Sequence, residues 1–226
     1  MIKGNDLKVV AIKRNEKDII SVRKNGIEYF HNSLFEKKYT IVEYIQSDGS
    51  QYIDTGVSGG TNAAYEIDFN KLTVFIGYEH YLGGDNPPMN IPKLFNYTTS
   101  TSQIVCETNS TNLNLGVRNN TRNVVTVNSD GSIYLNGSEK ASTSSTIASK
   151  FKGKGWGDST WWVFGHHGEP NLKSSMRLYS LRMYSDGTII RDFIPVKRNA
   201  DGVYGLWDKV YEKFYISESG VDFTGA

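Results

Sequence analysis

The chain has 226 residues, a formal net charge of +1 and one cysteine, Cys106. That length suits one large domain, or a domain with a small appendage, and buries a core without staples. One cysteine excludes an internal disulfide and any multi-cysteine metal site. Near-neutral charge gives no general reason to expect nucleic acid or an anionic membrane as partner.

Residues 1–38 differ from the rest. They hold nine Lys/Arg against five Asp/Glu, a net of +4, which leaves −3 for the remainder. Short strands are expected at 7–12, 18–23 and 27–30, with turns at 14–17 and at Asn25-Gly26, a strong hairpin signal. A three-stranded meander of this size buries too little surface to stand alone. It must pack on the large domain, on a copy of itself or on a partner, and its lysines equally suit a protected, solvated edge. No apolar stretch with a small-residue cleavage site opens the chain, so no secretory signal is expected. No apolar run approaches the ~18–20 residues of a membrane span. The sequons at Asn96, Asn109, Asn119 and Asn136 are what chance produces in a chain rich in Asn, Ser and Thr.

From residue 39 onward, strands alternate with turns, and no stretch sustains a helical apolar period over three turns. A linker at 31–38 leads to strands expected at 39–45, 51–55, 63–69, 73–78, 104–107, 113–117, 123–128, 133–135, 161–165, 175–184, 188–195, 203–207 and 213–216. Residues 83–89, with two glycines and two prolines, read as a loop, and 142–149 as a polar loop. Ser-Asp-Gly turns recur at Asp48, Asp130 and Asp186. The composition, rich in tyrosine and glycine, fits pleated surfaces joined by tight turns. The expected fold is therefore all-β: an antiparallel two-sheet jelly-roll sandwich over 39–226, with a small N-terminal β-meander over 1–38.

Three candidate chemistries follow from the side chains. Glu66, Asp68 and Asn70 share one strand face by the period of two. Jelly-roll glycosidases carry three such alternating groups, and a retaining enzyme needs two carboxyls ~5–5.5 Å apart. Here the third is asparagine, which cannot donate a proton, so a solvent-facing polar stripe is the favoured reading. His31, His80, His166 and His167 lack any nucleophile signature. The adjacent pair His166-His167 points to opposite faces of a strand end and does not chelate one metal readily; one is expected packed and the other exposed. The third candidate is aromatic. Of Trp161 and Trp162, one should face the core and the other outward. Trp156, between glycines, either stands exposed for stacking on sugar rings or a protein partner, or folds back over the sandwich edge. Asp158, Asp85, Asn86 and His167 complete the candidate ligand-binding set with Trp156, Trp161 and Trp162.

Residues 44–56, 124–137 and 176–196, followed by 201–209 and Lys213-Phe-Tyr215, together resemble the laminin-G-like or concanavalin A-like jelly roll. The 176–196 block is similar to structural proteins of bacteriophages and prophages, and the hairpins ending at Tyr29 resemble small repeats of phage tail proteins. That resemblance implies a non-enzymatic virion protein, a head- or tail-fibre or decoration component displaying a lectin-like domain. Residues 1–38 would then attach to other virion proteins or drive homo-oligomerisation, commonly trimeric, and bacterial surface glycan is the implied ligand. A free carbohydrate-binding module is the alternative, with a glycosidase behind it. No cofactor is expected, with calcium left open: some laminin-G-like relatives hold it with one or two rim aspartates and backbone carbonyls, a pattern that cannot be assigned to particular residues here.

Overall fold

The computed structural model describes residues 8–14, 17–24, 27–72, 77–84, 92–98, 104–108, 111–117, 120–167, 171 and 173–226. In chain order these form β1 (Lys8–Arg14), β2 (Lys17–Lys24), β3 (Ile27–Asn32), α1 (Ser33–Lys38), β4 (Tyr39–Ile41), β5 (Ile45–Asp48), β6 (Ile53–Asp54), β7 (Ala64–Lys71), β8 (Gly77–Gly84), β9 (Lys93–Thr98) and β10 (Ile104–Thr108). There follow β11 (Thr111–Asn114), β12 (Arg122–Val127), β13 (Ile133–Leu135), β14 (Ser138–Ala141), α2 (Ala148–Phe151), β15 (Trp161–Val163), β16 (Ser175–Ser185), β17 (Thr188–Arg198), β18 (Tyr204–Asp208), β19 (Lys213–Tyr215) and β20 (Thr224–Gly225).

The fold is all-β and antiparallel. β1–β2–β3 form their own sheet. The smaller sandwich sheet runs β11–β10–β9–β8–β15–β6. The larger runs β14–β13–β12–β7–β16–β17–β18–β19, with β5 beside the first half of β16, β4 beside the end of β17, and β20 on β5. Alternation dictates which face goes inside. In β7, Tyr65, Ile67, Phe69 and Lys71 are buried while Glu66, Asp68 and Asn70 face outward. Phe69 meets Tyr81 of the opposite sheet at 5.6 Å, and Tyr65 meets Trp161 at 6.5 Å.

Several boundaries differ from the sequence expectation. The 39–45 strand is two, β4 and β5, bent at 42–44 where Val42 and Tyr44 donate to Pro195 and Ala226 carbonyls. The linker 31–38 ends in α1. Gly83 and Gly84, expected in a loop, close β8, because β15 lies so near that a Cβ on Gly84 would stand 2.6 Å from the Trp161 indole. β9, β14, α2 and β20 were not anticipated; β9 and β14 are secured by cross-strand pairing rather than by alternation of their own. Of the 73–78 strand, residues 73–76 lie outside the described residues.

β8 also carries a pH-sensitive group. His80 is buried, stacked on Phe95 at 5.4 Å and 4.5 Å from the His166 ring. Burial above all, then His166 and Lys93, lower its pKa from 6.5 to about 2. In the fold it stays neutral, whereas the unfolded chain takes up a proton below 6.5. Stability therefore falls as pH drops from 6.5 toward 2. Between pH 6.5 and 4.5, above most carboxylate titrations, the expected loss is about 2–3 kcal/mol. Urea midpoints across that window check it, and His80→Gln should flatten the slope; an unchanged slope would refute the assignment.

Candidate functional site

The tryptophan-rich segment separates into core and surface, and the division is set by local backbone contacts. Trp161 and Val163 of β15 point into the core, while Trp162 between them faces out and is half-buried. Of its two alternatives Trp156 takes the folded-back one and is no exposed platform: it is only 2 % exposed. Its indole N–H donates to the Tyr184 carbonyl at 3.0 Å, and its own carbonyl accepts the Trp161 indole at 2.7 Å. The flanking Gly155 and Gly157 let the segment lie directly on Gly59 and Gly60, which turns the side chain inward. Trp161 is likewise unavailable to a ligand. Asp158 is exposed in the bend before β15, with no side-chain hydrogen bond or ion pair among the described residues. Asp85 and Asn86 lie outside the described residues.

Trp162 and His167 do come together, with residues the sequence did not single out. In register Trp162 stands opposite Asp54 of β6. Tyr52, two residues earlier, falls on the same side and stacks on Trp162 at 4.1 Å and 20°. His167 meets the indole edge-on at 5.1 Å, and the Lys173 ammonium lies 5.2 Å from the Tyr52 ring centroid. The Trp162 indole N–H and His167 Nδ1 are enclosed but make no hydrogen bond among the described residues. Enclosed polar groups without partners are costly, so both count against stability and neither is open to a ligand.

Two carboxylates frame this aromatic stack. Asp54 accepts from the Gly56 amide at 2.8 Å and the Thr160 hydroxyl at 2.7 Å, which fixes its direction. Glu218 comes from the tail and is anchored by its amide on the Tyr52 carbonyl at 3.0 Å. Burial, then Asp54, raises the Glu218 pKa, with Lys213 opposing. Burial, then Glu218 and Asp54, raises that of Tyr52. The group is thus one electrostatic neighbourhood: flat apolar rings beside directed acceptors, the arrangement that holds an amphipathic ring with hydroxyl edges. Sequence reasoning missed Tyr52, Asp54 and Glu218 because no local signal ties them to Trp162; only the β6–β15 pairing does.

The other candidates resolve plainly. Glu66 pairs with Arg182 at 3.3 Å, and Asp68 is held by Arg122 through bonds of 2.9 and 2.7 Å. Both carboxylates are engaged on the outer face of the larger sheet, as a polar stripe requires. His166 is buried and His167 half-buried. Among the described residues, no three His, Cys, Asp or Glu side chains group to hold a metal.

The fold and this surface define an all-β sandwich with an aromatic, carboxylate-edged patch. No family model and no curated protein matches the chain. A solved structure does resemble it: a "putative carbohydrate binding protein" from Bacteroides ovatus ATCC 8483, with a TM-score of 0.53 and 11 % identity over 95 % of this chain and 70 % of that one.

Proposed function

We propose that the protein is a non-enzymatic carbohydrate-binding protein that uses the Tyr52–Trp162 surface. The observation that carries this is the pair of stacked rings flanked by Asp54 and Glu218. A pyranose lays its C–H face on Tyr52 while Lys173, a flexible ammonium, swings aside to meet its hydroxyls. The carboxylates accept from sugar hydroxyls. The fold shared with the Bacteroides ovatus protein supports the reading. A glycan array with wild type, Trp162→Ala and Tyr52→Ala tests it. Each variant should lose about tenfold or more in affinity, roughly 1.4 kcal/mol, with its fold intact. An array on which wild type binds nothing would overturn the proposal.

A second reading places this binding domain on a phage particle, with residues 1–38 as the attachment or oligomerisation element. It rests on the sequence resemblance and on one structural fact: among the described residues no strand ladder joins β1–β3 to the sandwich. Removing residues 1–38 should abolish incorporation into particles while glycan binding persists; particles that still carry the truncated chain would argue against it.

A further inference from the structure

The larger sheet's outer face holds a second constellation, distinct from Tyr52–Trp162 and independent of it. It originates in a β-bulge. Between Leu178 and Ser180 the β16–β7 register slips by one residue. The slip keeps Leu178 and Leu181 both in the core and turns Tyr179 and Ser180 outward together. Bulges of this kind re-aim side chains, and here the re-aimed one is aromatic.

Tyr179 meets Tyr44 edge-on at 5.8 Å. Each ring carries a guanidinium: Arg122 lies 4.0 Å from the Tyr179 centroid and Arg177 4.4 Å from that of Tyr44. The two arginines stand on either side of Asn70 in register, on flanking strands, which separates their backbones by about 10 Å. They are not equivalent. Arg122 is neutralised by the two-pronged contact with Asp68, and Glu43 adds negative charge nearby. Arg177 Nε donates to Gln46 at 2.9 Å, and among the described residues Arg177 has no carboxylate partner and its terminal nitrogens make no hydrogen bond. Beside it the Asn70 side-chain oxygen is enclosed and without a partner.

A guanidinium held over a tyrosine ring, braced by one neutral hydrogen bond and with no anion beside it among the described residues, is preorganised for a carboxylate or phosphate. The Tyr44 and Tyr179 rings beside it offer apolar edges for C–H groups. We propose that this face binds an acidic glycan, with the anionic group of one residue on Arg177 and its C–H groups against Tyr44 and Tyr179. The same chemistry is presented by a uronic acid carboxylate and by the phosphodiester of a polyol-phosphate polymer.

Affinity electrophoresis of the full chain through gels containing polygalacturonate, poly(glycerol phosphate) or a neutral β-glucan tests this. At least one acidic polymer should retard the protein, and raising salt should weaken the effect, as expected for a half-exposed charge contact. Which acidic polymer retards it identifies the anion. Arg177→Gln should reduce that retardation about tenfold, while Arg177→Lys, which keeps charge but loses the flat fork, should fall between. Arg177→Gln should cost the same factor in a Trp162→Ala background as in the wild type, so loss of the Tyr52–Trp162 reading does not carry this one with it. Three results would each overturn the proposal: no retardation by either acidic polymer, equal retardation by the neutral one, or undiminished binding by Arg177→Gln.

Discussion

A Glu79→Ala variant should lose about 3–5 kcal/mol of stability, the usual consequence of stripping one partner from a buried ion pair. Lys71 ends the inward alternation of β7 and is fully enclosed, with Nζ 3.9 Å from a Glu79 carboxylate oxygen. The same carboxylate accepts the Tyr81 hydroxyl at 2.9 Å and the Ser175 amide at 3.4 Å. Glu79 thus serves a cation, a phenol and a backbone N–H between the sheets, and alanine leaves all three without it. Burial lowers the Lys71 pKa and Glu79 counteracts that shift. Without Glu79 the amine moves further toward its neutral form, which limits the loss. Urea unfolding of wild type, Glu79→Ala and the double variant Lys71→Met/Glu79→Gln checks the account. The double variant should recover most of the stability, because an apolar side chain removes the charge that needed a partner. If Glu79→Ala came within 1 kcal/mol of wild type, the pair would not be the internal tie described above.

Gly155→Ala should cost about 3 kcal/mol or more, comparable to losing a buried tryptophan contact. A Cβ there would stand 1.9 Å from the Gly60 carbonyl oxygen and 2.8 Å from that of Gly59. Neither is a side chain that can swing away. The Trp156 amide to Gly59 carbonyl bond at 2.7 Å and the Ala63 amide to Lys154 carbonyl bond at 2.7 Å hold the two segments together. Relief requires lifting residues 154–157, which withdraws Trp156 from Tyr65 and Trp161 and exposes its indole. The readout is a red-shifted tryptophan emission together with a lowered urea midpoint. Gly165→Ala is the control, since its Cβ would meet neighbours only at 3.4–3.8 Å. Equal behaviour of the two variants would show that the backbone approach at Gly155 is not what seats Trp156.

Both variants probe contacts that no local pattern announces, and this marks where sequence reading stops. The period-two alternation of 64–71 and 175–185, the Asp-Gly turns and the absence of a helical period were enough to establish an all-β sandwich. They also set Trp161 and Trp162 on opposite faces and put Glu66 and Asp68 outside, because a strand's pleat alone decides which neighbours share a face. Asn136 and Gly137, between β13 and β14, adopt the positive φ that an Asn-Gly hairpin turn demands. What alternation cannot reveal is the partner. Trp156 faces inward because remote glycines admit its backbone. Tyr52, Asp54 and Glu218 join Trp162 because β6 pairs with β15 and the tail crosses Tyr52. Tyr179 joins Arg122 because the ladder slips by one residue. Each of these depends on register between segments far apart in the chain, which the whole set of buried contacts selects together. The sequence alone determined the faces of the strands; the tertiary structure decided which faces meet, and so where a ligand can rest.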